Sequence, residues 1–364
     1  MSPPHTVGWA AWACVELTLL IAALAGWGCT SGSAVEVDAG ALAARAAPIP
    51  TAPPDAGPTA RPDAFPACVP LAIVDDSVLA PGGGDAAALA RMSRCDALTE
   101  LRIVDLDLPP ALTAAPLNLD LTPLMNLASL KVLMLGDCRC RGWDALARHP
   151  GLHELAVGDL FAPADVAALG RITGLERLVL GGRVPGGIAP LGQLVGLSSL
   201  ILQDRQITDL TALAGLRSLR ELALFDLPVA DFAPIAQLEL EHLEVHGAPL
   251  TALSDLPLSP ALKTLKLPRT GVADLDALAR CPKLQWLDLD GAPVRSITAL
   301  QALGELSHLS LADTRVTDLS PLHRLKQLRS INLSGLRIDD AEIRALQSRF
   351  PQALILHDVR PPGP

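Results

Sequence analysis

The chain has 364 residues, half of them apolar, yet its aromatic residues are only five Trp and five Phe, with no Tyr. Its formal charge of -10 argues against nucleic-acid binding, which needs a basic face to neutralise phosphates. Seven Cys are too few for a scaffold built on disulfides, and the apolar content excludes disorder for most of the chain, so Leu, Val, Ile and Ala must fill the core.

Residues 17–27 (LTLLIAALAGW) form an eleven-residue apolar run that ends at Gly28-Cys29, and no Lys or Arg precedes Arg45. That length suits the apolar region of a secretory signal better than a membrane span. Extending the run back to Trp9 would place Glu16 inside the membrane, where a carboxylate is costly. Leu24-Ala25-Gly26-Trp27-Gly28-Cys29 resembles a bacterial lipoprotein signal, in which a Cys after small residues is lipidated and becomes the new N-terminus. The resemblance implies a signal over 1–29, lipidation of Cys29 and a lipid anchor on a bacterial cell envelope, in the outer membrane or periplasm. Trp27 stands where that motif has a small residue, and the basic leading segment is missing. Ordinary secretion, an uncleaved anchor and an intracellular interaction or effector protein with a misassigned start therefore stay open.

Residues 30–66 are rich in Ala, Pro, Gly and Asp and read as a disordered linker, with a reach of at most about 3.1 Å per residue. Beyond it, Leu71–Val74 predicts a strand and 85–94 a helix. From Leu98 onwards the form L-x-x-L-x-L recurs, as in Leu130-Leu133-Leu135, Leu197-Leu200-Leu202, Leu284-Leu287-Leu289 and Leu306-Leu309-Leu311. Ten near-regular copies start between Leu130 and Leu328, 22 residues apart with one step of 23 and one of 21. Such self-similarity is the signature of a stacked repeat. The early alternation predicts a short strand, and the spacing of three in Ile207-Leu210-Leu213-Leu216 a helical turn. Thr122-Pro123 and Ser320-Pro321 add a hydroxyl before proline, a helix-start signal.

The stretch 98–350 resembles the leucine-rich-repeat family, and units such as LSHLSLADTRVTDLSPLHRL from Leu306 look like the 22-residue bacterial class of internalins. This implies an α/β solenoid, a curved horseshoe with parallel strands on its concave face and short helices on its convex face. The ninth position of each unit departs from the family's Asn: it holds Cys138, Leu160, Arg205, Leu227, Ala248, Thr270, Ala292, Thr314 and Leu336. The buried Asn ladder is absent, leaving the backbone at that bend in need of other partners. Terminal units need covering, so residues 67–97 are expected to form an N-terminal cap. A helix over 339–349 and the strand Leu354-Ile355-Leu356 close the other end, with 351–364 as cap strand and tail. The first unit is 32 residues long, and its insertion at 105–117 is a loop.

Cys138, Cys140, Cys281 and Cys95 fall on inward positions and read as free buried packing residues. A disulfide between Cys68 and Cys95 is an alternative in an exported protein. Acids at the eighth position (Asp137, Asp159, Asp204, Asp226, Asp313) read as turn formers bonding nearby backbone N–H groups, in preference to a calcium row. His149 repeats the core register of Cys281 and reads as structural.

Residues between the leucines point onto the concave face, in rows whose neighbours lie about 4.8 Å apart. The N-terminal half of these rows is small and apolar (Val132, Met134, Ala156, Val179, Ile201, Ala223) and is expected to be an exposed strip. The C-terminal half is polar. The expected protein-binding residues are Arg177, Ile201, Phe225, His242, Glu244, His246, Lys266, Trp286, Asp288, Asp290 and His308, with Trp286 as anchor. His242, Glu244 and His246 span about 13 Å along one strand, too far to hold one metal ion together. With no phosphate loop, zinc spacing or nucleophile with its base, no cofactor or metal is expected. The sequence thus predicts a non-enzymatic, monomeric module with a protein partner of unknown identity, and a metal-dependent enzyme is the remote alternative.

Overall fold

The computed structural model describes residues 71–74, 97–103, 119–136 and 139–358. All of them belong to one compact unit, residues 68–106 together with 115–364. Among them thirteen strands form one sheet in chain order. They are β1 (Leu71–Val74), β2 (Glu100–Ile103), β3 (Val132–Leu135), β4 (Glu154–Val157), β5 (Arg177–Leu180), β6 (Ser199–Gln203) and β7 (Glu221–Phe225). The series continues with β8 (His242–His246), β9 (Thr264–Lys266), β10 (Trp286–Asp288), β11 (His308–Ser310), β12 (Ser330–Asn332) and β13 (Leu354–Leu356).

Every pairing is parallel and in step with the repeat: Leu200 faces Leu222, and Leu222 faces Leu243. The L-x-x-L-x-L positions therefore become columns running the length of the sheet, and Leu178, Leu200, Leu243, Leu265 and Leu287 are fully buried within them. Each such side chain contributes about 1.5–3 kcal/mol. Because each packs against the units before and after it, no unit can bury its apolar side alone.

On the far side of this core the chain returns mostly through 3-10 turns, such as Thr211–Gly215, Asp276–Arg280, Thr298–Ala302 and Ser320–Arg324. Among the described residues only α1 (Trp143–Leu146), α2 (Pro163–Leu169) and α3 (Asp340–Arg349) are α-helical. The apolar spacing of three explains this, since it matches the 3.0 residues per turn of a 3-10 helix. The hydroxyls of Thr122 and Ser320 do not cap these turns; an aspartate two residues earlier does. Asp120, Asp209, Asp231, Asp274 and Asp318 each accept the first backbone N–H of their turn at 2.7–3.0 Å.

The bend after each strand solves the missing Asn ladder in a different way. The eighth residue of the last six complete units is left-handed, with φ of 57° at Asp226, 65° at Gly247, 56° at Arg269, 69° at Gly291, 55° at Asp313 and 76° at Gly335. That conformation aims its N–H at the next coil: Arg269 N–H donates to Asp290 O (2.7 Å), Gly291 N–H to Ala312 O (2.8 Å) and Asp313 N–H to Ser334 O (2.9 Å). The Thr270 and Thr314 hydroxyls at the ninth position donate to Leu267 O and Leu311 O at 2.9 and 2.7 Å. Earlier in the array the eighth-position acids bond backbone as expected: Asp159 accepts Arg183 N–H, and Asp204 accepts Val184 and Gln206 N–H.

The final helix α3 is N-capped by Asp339 and bound to the coil before it. Glu342 accepts Leu319 N–H at 2.8 Å, and Arg349 donates to Leu325 O at 3.0 Å. Cys281 is free and buried, as expected. Cys140 is buried but disulfide-bonded, correcting its reading as a free packing residue; its partner lies outside the described residues. Cys29, Cys68, Cys95, Asp137, Cys138, the 85–94 helix and the 105–117 loop also lie outside them.

Candidate interaction face

Alternation along β3 to β12 puts the expected residues on one side of the sheet, with different consequences in its two halves. In the N-terminal half the expected exposed apolar strip is closed. Met134, Ala156, Val179, Ile201 and Ala223 retain only 5–8% of their surface, so Ile201 is not presented to solvent. Residues one strand apart press against each other at sheet spacing. The charged residues here pair with one another: Arg177 Nε donates to Glu154 on the neighbouring strand at 3.1 Å, and Arg102 pairs with Glu100 on its own strand.

In the C-terminal half Glu244 is a hub. Its Oε1 lies 2.6 Å from His246 Nε2 and its Oε2 lies 3.3 Å from Lys266 Nζ. Burial raises the Glu244 pKa, but the hydrogen bond from His246 and the charges of Lys266 and His246 outweigh it and hold the carboxyl below its ordinary value. Phe225 leans on His246 with ring centroids 4.7 Å apart. His242, in the neighbouring row, has its pKa lowered mainly by burial, although Glu221 and Glu241 oppose the shift.

Trp286 is the large aromatic that reaches solvent, at 42% exposure. It is held upright. The His308 ring stacks on it at 4.5 Å and 9°, and Lys266 Nζ lies 5.6 Å from its ring centroid. His308 in turn lies 2.9 Å from the Ser307 hydroxyl, and burial and then the Arg329 charge lower its pKa. Asp288 accepts Asp290 N–H, and Asp290 accepts the Ser310 hydroxyl at 2.5 Å and Ala312 N–H at 2.8 Å. Burial raises the Asp288 pKa despite its own hydrogen bond.

The structure thus gathers Phe225, Glu244, His246, Lys266, Trp286 and His308 into one connected group, while Arg177 and Ile201 stand apart from it. Glu221 stands on this face beside His242, as its place in the third row requires. One feature escaped the sequence reading: Leu354 and Leu356 extend the rows onto β13 with 59% and 45% exposure. Counting the rows one strand further would have found the leucines.

Among the described residues no three His, Cys, Asp or Glu groups converge as a metal site would require. Depressions of about 400 Å³, beside Gly187 and Asp209, and about 490 Å³, beside Asp144 and Arg171, include none of the concave-face residues.

No protein-family model matches the sequence, and no curated protein sequence matches it. Solved structures do. An internalin (InlF) from Listeria monocytogenes superposes with a TM-score of 0.57 at 22% identity, covering 74% of this chain and 78% of that one. The chain has the leucine-rich-repeat fold. The functional domain of InlJ from the same species gives a TM-score of 0.44 at 15% identity, over 66% of this chain and 61% of that one. A leucine-rich-repeat protein of Leptospira interrogans gives 0.41 at 15% identity, over 73% and 91%.

Proposed function

We propose that this leucine-rich-repeat chain is a non-enzymatic module that binds a protein partner on its concave face while anchored to a bacterial envelope by a lipid on Cys29. The observation that carries the binding reading is Trp286, an indole stacked on His308 and still 42% exposed. Exposed large aromatics held rigid by their neighbours lose little entropy on binding and serve as interface anchors. Phe225, His242, Glu244, His246, Lys266, Asp288, Asp290 and His308 form the surrounding contact surface. Arg177 lies at its paired N-terminal margin.

The disulfide at Cys140 supports export, because such bonds persist in oxidising compartments. The linker over 30–66 would lift the array off the membrane, with 67–97 closing its near end. Among the described residues no helix is long and apolar enough to cross a membrane.

Photo-crosslinking from position 264, beside Trp286, tests the binding face. Wild-type protein should capture a discrete partner that Trp286→Ala loses and Phe225→Ala weakens. Capture insensitive to both changes refutes the assignment. Cell fractionation with palmitate labelling tests the anchor: Cys29→Ser should release the protein from membranes, and unchanged partitioning excludes lipidation there.

A further inference from the structure

The charges on the concave face do not cancel one another. Along the rows from β2 to β12 each Lys or Arg is already engaged by an acid of the same face: Arg102 by Glu100, Arg177 by Glu154 and Lys266 by Glu244. Glu221, Asp288 and Asp290 have no such partner, since none of them enters an ion pair among the described residues. The nearby imidazoles do little to offset them, because burial favours the neutral form of His242 and His308. The leftover carboxylates are also placed together. Asp288 ends β10 and Asp290 stands two residues on, in the turn that follows, with its N–H held by the Asp288 carboxylate. Their hydrogen bonds to Asp290 N–H, Ser310 and Ala312 use one oxygen of each carboxylate, leaving the other without a protein partner.

We propose that the partner presents a basic segment to this surface, with a Lys or Arg stem lying along Trp286 and its charge meeting Asp288 and Asp290. The proposal rests on the reading of the concave face as the binding face. Charge complementarity argues for a cationic occupant, since an acidic one would meet three uncompensated carboxylates and find every cation of the face occupied. Long basic side chains suit the site for a second reason: their methylene stems cover apolar surface while the charged head stays in contact with water and carboxylate.

The test uses the full-length chain with nitrogen-15 in its Trp indoles. The blocked peptide tri-arginine, its uncharged tri-citrulline counterpart and tri-glutamate are titrated while the Trp286 indole resonance is followed. Tri-arginine should move that resonance, and tri-citrulline and tri-glutamate should not. Asp288→Asn with Asp290→Asn keeps the acceptor oxygens that hold β10 and should weaken tri-arginine binding about 3- to 10-fold, with loss of its salt dependence. The control Asp255→Asn with Asp276→Asn, in return turns, should change nothing. Equal binding of tri-citrulline, preference for tri-glutamate, or an equal effect of the control pair would overturn the proposal. The two readings fail separately. Partner crosslinking lost in Trp286→Ala but intact in Asp288→Asn with Asp290→Asn leaves the binding face standing and removes the cation, whereas crosslinking intact in Trp286→Ala removes the face itself.

Discussion

One added methyl group should have three different effects, depending on where in the coil it is placed. Gly170 and Gly215 both lie in return segments, Gly170 directly after the buried Leu169 and Gly215 two residues after the buried Leu213. Gly215 ends a 3-10 turn, and a Cβ there would meet nothing within 4 Å. Gly215→Ala should therefore stabilise the protein by about 0.4–1 kcal/mol, through the reduced freedom of the unfolded chain. Gly170 follows α2, in the unit with one extra residue, and the α-helical return is wider than its 3-10 neighbours. A Cβ there would sit 2.8 Å from the Pro190 carbonyl carbon and closer still to its oxygen. This obstacle is backbone and cannot rotate away. Gly170→Ala should cost about 1–3 kcal/mol through forced displacement of the next coil. Gly291 separates the remaining variable: its Cβ would touch Arg269 Cγ only at 3.5 Å, but its φ is 69°. Gly291→Ala should cost about 1 kcal/mol from backbone conformation alone. Urea unfolding of the three variants checks the order, with about 2–4 °C per kcal/mol expected in matching thermal melts. If Gly170→Ala and Gly215→Ala shift the midpoint in the same direction, the inferred coil contact at Pro190 is wrong.

Three further outcomes follow from buried polar groups. His149 donates Nε2–H to Leu127 O at 2.9 Å and accepts Gly151 N–H on Nδ1, so the fold holds it neutral, and burial lowers its pKa. The unfolded chain then takes up a proton first. Stability should be full above about pH 6.5 and decline as the pH falls through that value. His149→Gln should reduce the slope measured by urea unfolding between pH 7.5 and 5, and an unchanged slope would exclude His149 as its source. Cys281, pushed up to about 11 by burial, should resist a thiol reagent until the protein unfolds, and rapid labelling of native protein would contradict its packing. The Trp143 indole N–H is buried without a partner among the described residues, so Trp143→Phe removes an unsatisfied donor and should cost under about 1 kcal/mol, against about 3–5 for Trp143→Ala. Comparable losses in calorimetry would mean the indole is bonded after all.

The array was legible because each core column repeats one chemistry at one spacing. Leu200, Leu222 and Leu243 need no knowledge of their neighbours to be placed inside. The return turns were readable as helical but not as 3-10, although Leu210, Leu213 and Leu216 carry the period of three. The bend was opaque for a different reason. Its eighth-position residues alternate Asp226, Gly247, Arg269, Gly291, Asp313, Gly335, and the alternation has meaning only between coils. A Cβ at Gly247 would stand 2.9 Å from Asp226 Oδ1 and one at Gly335 closer still to Asp313 Oδ1, so these two left-handed aspartates are each followed by a coil with no side chain there, whereas Gly291 beside Arg269 has room. A single unit read alone shows only that Gly and Asp both favour turns.

The same distinction separates what could and could not be read of the candidate site. That Trp286 faces outward follows from its place between the leucines, and its exposure follows from the small Thr264 on one side and a thin imidazole on the other. Which charges cancel is a choice between coils. Lys266 has an acid in the same row on either side, Glu244 before it and Asp288 after it. It pairs with Glu244 at 3.3 Å. The longer glutamate reaches across the strand gap, whereas the short Asp288 side chain turns to the N–H of Asp290, two residues on in the turn after β10. Exchange of side-chain length should therefore move the pair. Glu244→Asp with Asp288→Glu keeps every charge, and the geometry predicts that Lys266 then swings to position 288 and leaves position 244 with His246. Such a swap would shift the uncompensated charge away from Trp286, and tri-arginine binding there should fall without any change in the net charge of the face. Undiminished binding by the swapped protein would show that the carboxylates act through the general field of the face and not through their pairing.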